Sequence, residues 1–166
     1  MHKLIVAIFL ILFTATIAVA QSTTVYIVRH AEKDMADGNV KDPRLTPEGL
    51  KRSFDLSTKL EKEEISAIFS TNYIRTIQTA EPISKRIKKK IQIYDPTIVS
   101  DIVRTVNNNY KGKTVLIVGH SNTILPMIRA FGGSTTVKEI KDYDYSYLFK
   151  LVIDDKVNTS YVYYGD

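Results

Sequence analysis

The chain opens with an almost unbroken apolar run, Leu4 to Val19, interrupted only by Thr14 and Thr16. Beyond it, short β-branched runs alternate with longer stretches in which apolar residues recur every three or four positions. Thr23 to Val28 is rich in strand formers and predicts a first strand. Residues 31–44 are polar and hold Asp37-Gly38-Asn39 and Asp42-Pro43, turn chemistry that predicts a loop. Thr46-Pro47 supplies an N-cap and a proline at the first helical position. Leu50, Phe54, Leu56 and Leu60 predict the inward face of a helix that runs to residue 62. Ile65 to Ser70 reads as a second strand. Residues 72–89 predict a second helix with Ile74, Ile77, Ile83 and Ile87 apolar and a bend at Pro82. Ile91 to Tyr94 alternates as a third strand and stops at Asp95-Pro96. Ile98, Val99, Ile102, Val103 and Val106 follow helical spacing, and Gly112 ends that unit. Thr114 to Val118 is continuously apolar, as a strand buried on both faces must be. Asn122 to Phe131 predicts a further helix closed by Gly132-Gly133, and residues 145–153 and 157–164 flank Asp154-Asp155 as a final hairpin.

Strands that alternate with helices predict an α/β fold. We expect a three-layer sandwich with a mostly parallel central sheet, helices on both faces and a C-terminal β-hairpin. Ligands of such sheets bind beyond the carboxyl ends of the strands.

The apolar start carries the three parts of an export signal: His2 and Lys3, the apolar run, and small residues at Ala18-Val19-Ala20. Residues 1–20 are therefore expected to be a cleaved signal peptide, with an uncleaved anchor as the alternative because the run approaches the ~20 residues that span a bilayer. Residues 21–166 have the length of a single domain. The chain has no cysteine, which removes disulfides, lipid-modified cysteine anchors and every thiol nucleophile. An exported protein without disulfides points to a bacterial periplasm, with no stable membrane span after cleavage. Without Lys3, 22 of the 23 Lys and Arg residues face 18 acidic ones. Much of the excess lies in Lys85-Arg86-Ile87-Lys88-Lys89-Lys90, which reads as a solvated last helical turn rather than a nucleic-acid site, since no aromatics interleave it. Oligomeric state leaves no mark in the sequence.

Two histidines remain after residue 20, His30 and His120, and each directly follows an apolar strand. If those strands are parallel neighbours, both imidazoles open onto one edge of the sheet. Val28-Arg29-His30-Ala31-Glu32-Lys33 resembles the Arg-His signature of the histidine phosphatase superfamily. Three further blocks come in the order of that family: Leu45-Thr46-Pro47-Glu48-Gly49, Ser70 to Ala80 around Arg75, and Val118-Gly119-His120-Ser121-Asn122. The resemblance covers residues 24–125. It implies that His30 attacks phosphorus and becomes a phosphohistidine. Arg29, Arg75 and a protonated His120 would hold the phosphoryl oxygens, and neither a metal nor another cofactor would be needed. Arginine suits that task because it offers planar, permanently charged donors.

An alcohol leaving group also needs an acid. Asp95, at the end of the third strand, is the best-placed candidate, ahead of Asp101 and Glu32. Where another branch of the family carries an acid directly after its second histidine, this chain has Ser121. Lys33 and Lys41 are possible extra anion contacts. The expected substrate is a phosphorylated small molecule or a phosphoprotein, phosphohistidine included. The alternative is a catalytically silent domain that recognises phosphate. Ser121 does not make a serine-hydrolase elbow, because Thr123 stands at its final glycine position and no histidine follows the serine.

Overall fold

The computed structural model describes residues 21–165 apart from 37 and 39. The expected signal peptide, the Asp37 and Asn39 positions of the predicted turn, and residue 166 lie outside the described residues. Among the described residues no helix is long and apolar enough to cross a membrane.

Six strands form one sheet: β1 (Thr23–Arg29), β2 (Ile65–Ser70), β3 (Ile91–Ile93), β4 (Thr114–Gly119), β5 (Tyr147–Ile153) and β6 (Val157–Tyr163). Their spatial order is β3-β2-β4-β1-β5-β6. The pairs β1–β4, β2–β4 and β2–β3 are parallel, whereas β5 runs antiparallel to β1 and closes the chain as a hairpin with β6. Thus the sheet is mostly parallel, with the expected C-terminal hairpin.

The continuous apolar runs of β1 and β4 follow from burial on both faces. Val25, Ile27, Val115 and Ile117 pack with Ile102 and Val106 of α3 (Val99–Asn109) and with Ile124, Met127 and Ile128 of α4 (Ser121–Ala130). Their alternating neighbours Tyr26, Val28, Leu116 and Val118 pack with Leu56 of α1 (Pro47–Lys59) and with Ala80 and Ile83 of α2 (Ile74–Ile87). Each such buried aliphatic side chain contributes about 1.5–3 kcal/mol.

One predicted face is corrected. Leu56 and Leu60 are buried as expected, but Leu50 and Phe54 are 42% and 64% exposed. The face that α1 turns inward is instead Gly49, Ser53, Leu56 and Ser57. Small residues are required because the helix start lies against the loop after β1. A Cβ at Gly49 would collide with the Glu32 carbonyl oxygen. Thr46 caps this helix as predicted, its Oγ1 accepting from Gly49 N at 3.1 Å. The second helix is shorter than predicted at both ends, because Tyr73 is its N-cap and Lys88 adopts a left-handed φ of 54° after its last turn.

Candidate active site

β1 and β4 are adjacent and parallel, so their carboxyl ends bring His30 and His120 together. The His30 amide donates to the Gly119 carbonyl at 2.9 Å, and the two rings lie 5.4 Å apart at 66°. Gly119 is required there: a Cβ would sit 2.9 Å from both Thr123 Oγ1 and the Tyr94 hydroxyl.

His30 is buried, and its Nδ1 lies 2.8 Å from the Ala31 carbonyl oxygen. A carbonyl only accepts, so the proton is on Nδ1 and the lone pair on Nε2. Burial, ahead of the positive fields of Arg29, Arg75 and His120, pushes the ring's pKa down to about 3 and keeps it neutral. His120 Nε2 is 2.9 Å from Thr71 Oγ1, which is 2.9 Å from Thr76 Oγ1. That last hydroxyl reaches the carbonyls of Thr71 and Tyr73 at 3.0 and 2.9 Å. Burial, then Arg75, Arg29 and Lys33, lowers the His120 pKa to about 4. Without an anion in the cavity, burial and these cations favour the neutral His120 ring. A phosphoryl dianion beside it reverses the sign of the local field and favours the protonated donor.

Arg29 is buried under the segment that leads into β5. Its Nη1 donates to the Lys141 and Asp144 carbonyls at 2.7 and 3.3 Å, and its Nη2 is 3.6 Å from the Asp142 carboxylate. The guanidinium lies over the Tyr145 ring at 4.3 Å. Arg75, on the first turn of α2, pairs with Asp42 at 3.3 Å and lies over Tyr73 at 4.4 Å. Asp42 also accepts from the Ile74 amide at 3.0 Å, so it caps the helix that carries Arg75. The Nε of both arginines is buried with no hydrogen-bond partner. A buried donor left unsatisfied costs about 1–3 kcal/mol, which an anion in the cavity removes.

The polar residues after Arg75 hold this frame. Gln78 Oε1 accepts from the Leu45 amide at 2.8 Å. Thr79 Oγ1 accepts from the Ala31 amide at 2.9 Å and donates to the Arg75 carbonyl at 2.7 Å. Thus Thr79 ties the backbone behind His30 to the turn that carries Arg75.

The structure brings Arg29, His30, Arg75 and His120 into one cavity of about 350 Å3, with Lys33 and Ser121 also in its wall. Asp95 does not line it. Its exposed carboxylate accepts from the Thr97 amide and hydroxyl at 2.8 and 2.6 Å, and those bonds lower its pKa, the opposite of what an acid for the leaving group requires. Glu32 is held by Arg52 Nε at 2.8 and 3.0 Å, and Asp101 pairs with Arg104 at 2.9 Å; neither lines the cavity, nor does Lys41. Among the described residues the one carboxylate in the wall is Asp142. Sequence reasoning missed it because it lies in irregular backbone, which the bonds from Arg29 and the burial of Ile140 hold beside the site.

Residues 25–96 match the model of the histidine phosphatase superfamily, branch 1. That segment is similar to the histidine phosphatase superfamily. The matched segment holds Arg29, His30 and Arg75 and stops short of His120, which the β1–β4 pairing delivers. Histidine phosphatase-fold neighbours agree. YhfR of Bacillus stearothermophilus is similar at TM-score 0.68 and 18% identity, over 83% of this chain and 95% of that one. A phosphoglycerate mutase from Bacillus anthracis gives 0.64 and 16%, over 89% and 94%. The protein histidine phosphatase SixA, solved with tungstate, gives 0.64 and 18%, over 85% and 95%. A comparison with curated proteins gave no match. The family match supports a phosphatase enzyme, and the neighbours share the fold.

Proposed function

We propose that the protein hydrolyses phosphomonoesters or phosphohistidine in two steps through a phosphohistidine on His30, without a metal ion. The observation that carries this reading is the fixed tautomer of His30: Nδ1 is occupied by the Ala31 carbonyl, and Nε2 is free beside Arg29, Arg75 and His120. In the first step Nε2 bonds to phosphorus as the bond to the leaving oxygen or nitrogen breaks, and the leaving atom keeps the electron pair and takes a proton from solvent water. In the second step water attacks phosphorus, the P–N bond breaks, and phosphate and neutral His30 are restored. Charge on the equatorial oxygens meets the two guanidinium groups and His120 throughout. A wall carrying Arg29, Lys33 and Arg75 against Asp142 repels divalent cations, which supports the metal-free reading. The leader pattern of residues 1–20 supports export, and we include a periplasmic location in the proposal; cell fractionation tests it.

The test is turnover of p-nitrophenyl phosphate and of phosphohistidine by the protein and its His30→Ala variant, with EDTA present. We expect EDTA-resistant activity that falls by about 10^3-fold or more in the variant. No turnover by the unaltered protein, with phosphate still raising its melting temperature, overturns the enzyme and leaves a phosphate-recognising domain.

A further inference from the structure

A second depression of about 620 Å3 adjoins the catalytic cavity and shares Ser121, Asn122 and Asp142 with it. It runs along the solvent side of α4, past Pro126 to Arg129, with the 138–143 segment as its opposite wall. Asp142 is paired to Arg29, which leaves Arg129, Lys138 and Lys141 facing Glu139 alone. Among the described residues neither Arg129 nor Lys138 forms an ion pair.

We propose that this groove binds the polypeptide of a phosphoprotein substrate, with Arg129 and Lys138 selecting an acidic residue about four positions from the phosphorylated one. The inference rests on the phosphate-pocket reading above. Its argument is continuity, length and charge. Eight residues separate Ser121, at the phosphate cavity, from Arg129, a rise of about 12 Å along the helix. An extended peptide covers that distance in about four residues at ~3.3 Å each. A small phosphoester ends inside the first cavity and does not reach the two cations.

Fluorescence anisotropy on the full chain carrying His30→Ala tests this, with phosphoserine peptides bearing one Asp three, four or five positions to either side and an alanine counterpart. We expect Asp near four positions on one side to tighten binding by roughly three- to tenfold, the range two exposed ion pairs supply. That gain disappears in Arg129→Ala/Lys138→Ala, whereas the same pair of substitutions in the His30-intact protein leaves p-nitrophenyl phosphate turnover unchanged. Equal binding of all peptides, or a gain that survives the double substitution, overturns the groove while the phosphatase reading stands. An alkyl bisphosphate spanning ~12 Å that competes better than the acidic peptide overturns the polypeptide assignment. Failure to bind any phosphopeptide or inorganic phosphate overturns both readings.

Discussion

The reactivity assigned to His30 comes from two features of its setting: the Ala31 carbonyl, which accepts the hydrogen bond from Nδ1, and burial beside two guanidinium groups, which keeps the ring uncharged. The same burial ties stability to pH. Both histidines have folded pKa values, about 3 and about 4, below the ordinary value near 6.5. The unfolded chain therefore binds more protons than the folded one as pH falls below 6.5. Their contribution to stability is complete above that pH and is lost as pH drops toward 4, at up to about 1.4 kcal/mol per pH unit for each ring. Urea melts at pH 7.5 and 5.0 should show this fall, and His120→Asn should flatten it. Thr79→Val should cost about 1–3 kcal/mol, because the Ala31 amide loses its buried acceptor; kcat should drop with it while KM for p-nitrophenyl phosphate changes less. Arg29, His30, Arg75 and His120 were legible because they sit in blocks that resemble the histidine phosphatase signature, the two histidines each directly after an apolar strand. Asp142 was not, since nothing local distinguishes it from other loop aspartates.

Strands and helices were legible wherever two faces of an element differ or both are covered. β4 and β1 read as buried strands because helices lie on each side of them. The orientation of the first half of α1 was not, because its packing face there is Gly49 and Ser53, and the apolar Leu50 and Phe54 point elsewhere. Two substitutions separate the readings. Gly49→Ala places a methyl group against the Glu32 carbonyl and should destabilise the fold by about 1–3 kcal/mol, despite the better helix propensity of alanine. Phe54→Ala, on the outer side of the same helix, should stay within about 0.5 kcal/mol. Chemical denaturation of the pair tests the corrected face directly.

Taken whole, the molecule gathers residues from the ends of β1 and β4, the start of α2 and the approach to β5 around one cavity. Such a site should respond as a unit to its ligand. Inorganic phosphate at a hundred times its Kd should stabilise the protein by about 2.7 kcal/mol, and Arg75→Ala should abolish most of that gain; calorimetry with and without phosphate measures both. Topology was legible only in part. The parallel core follows from the alternation of elements, whereas the insertion of β5 beside β1 joins residues with no local signal of their partnership. That insertion has a temporal consequence. Arg29 is oriented by carbonyls 112 and 115 positions downstream. A chain still emerging from the ribosome, with residues 141–144 not yet released, lacks the clasp on that guanidinium. A chain that stops before residue 141 therefore folds, if at all, with this guanidinium unheld.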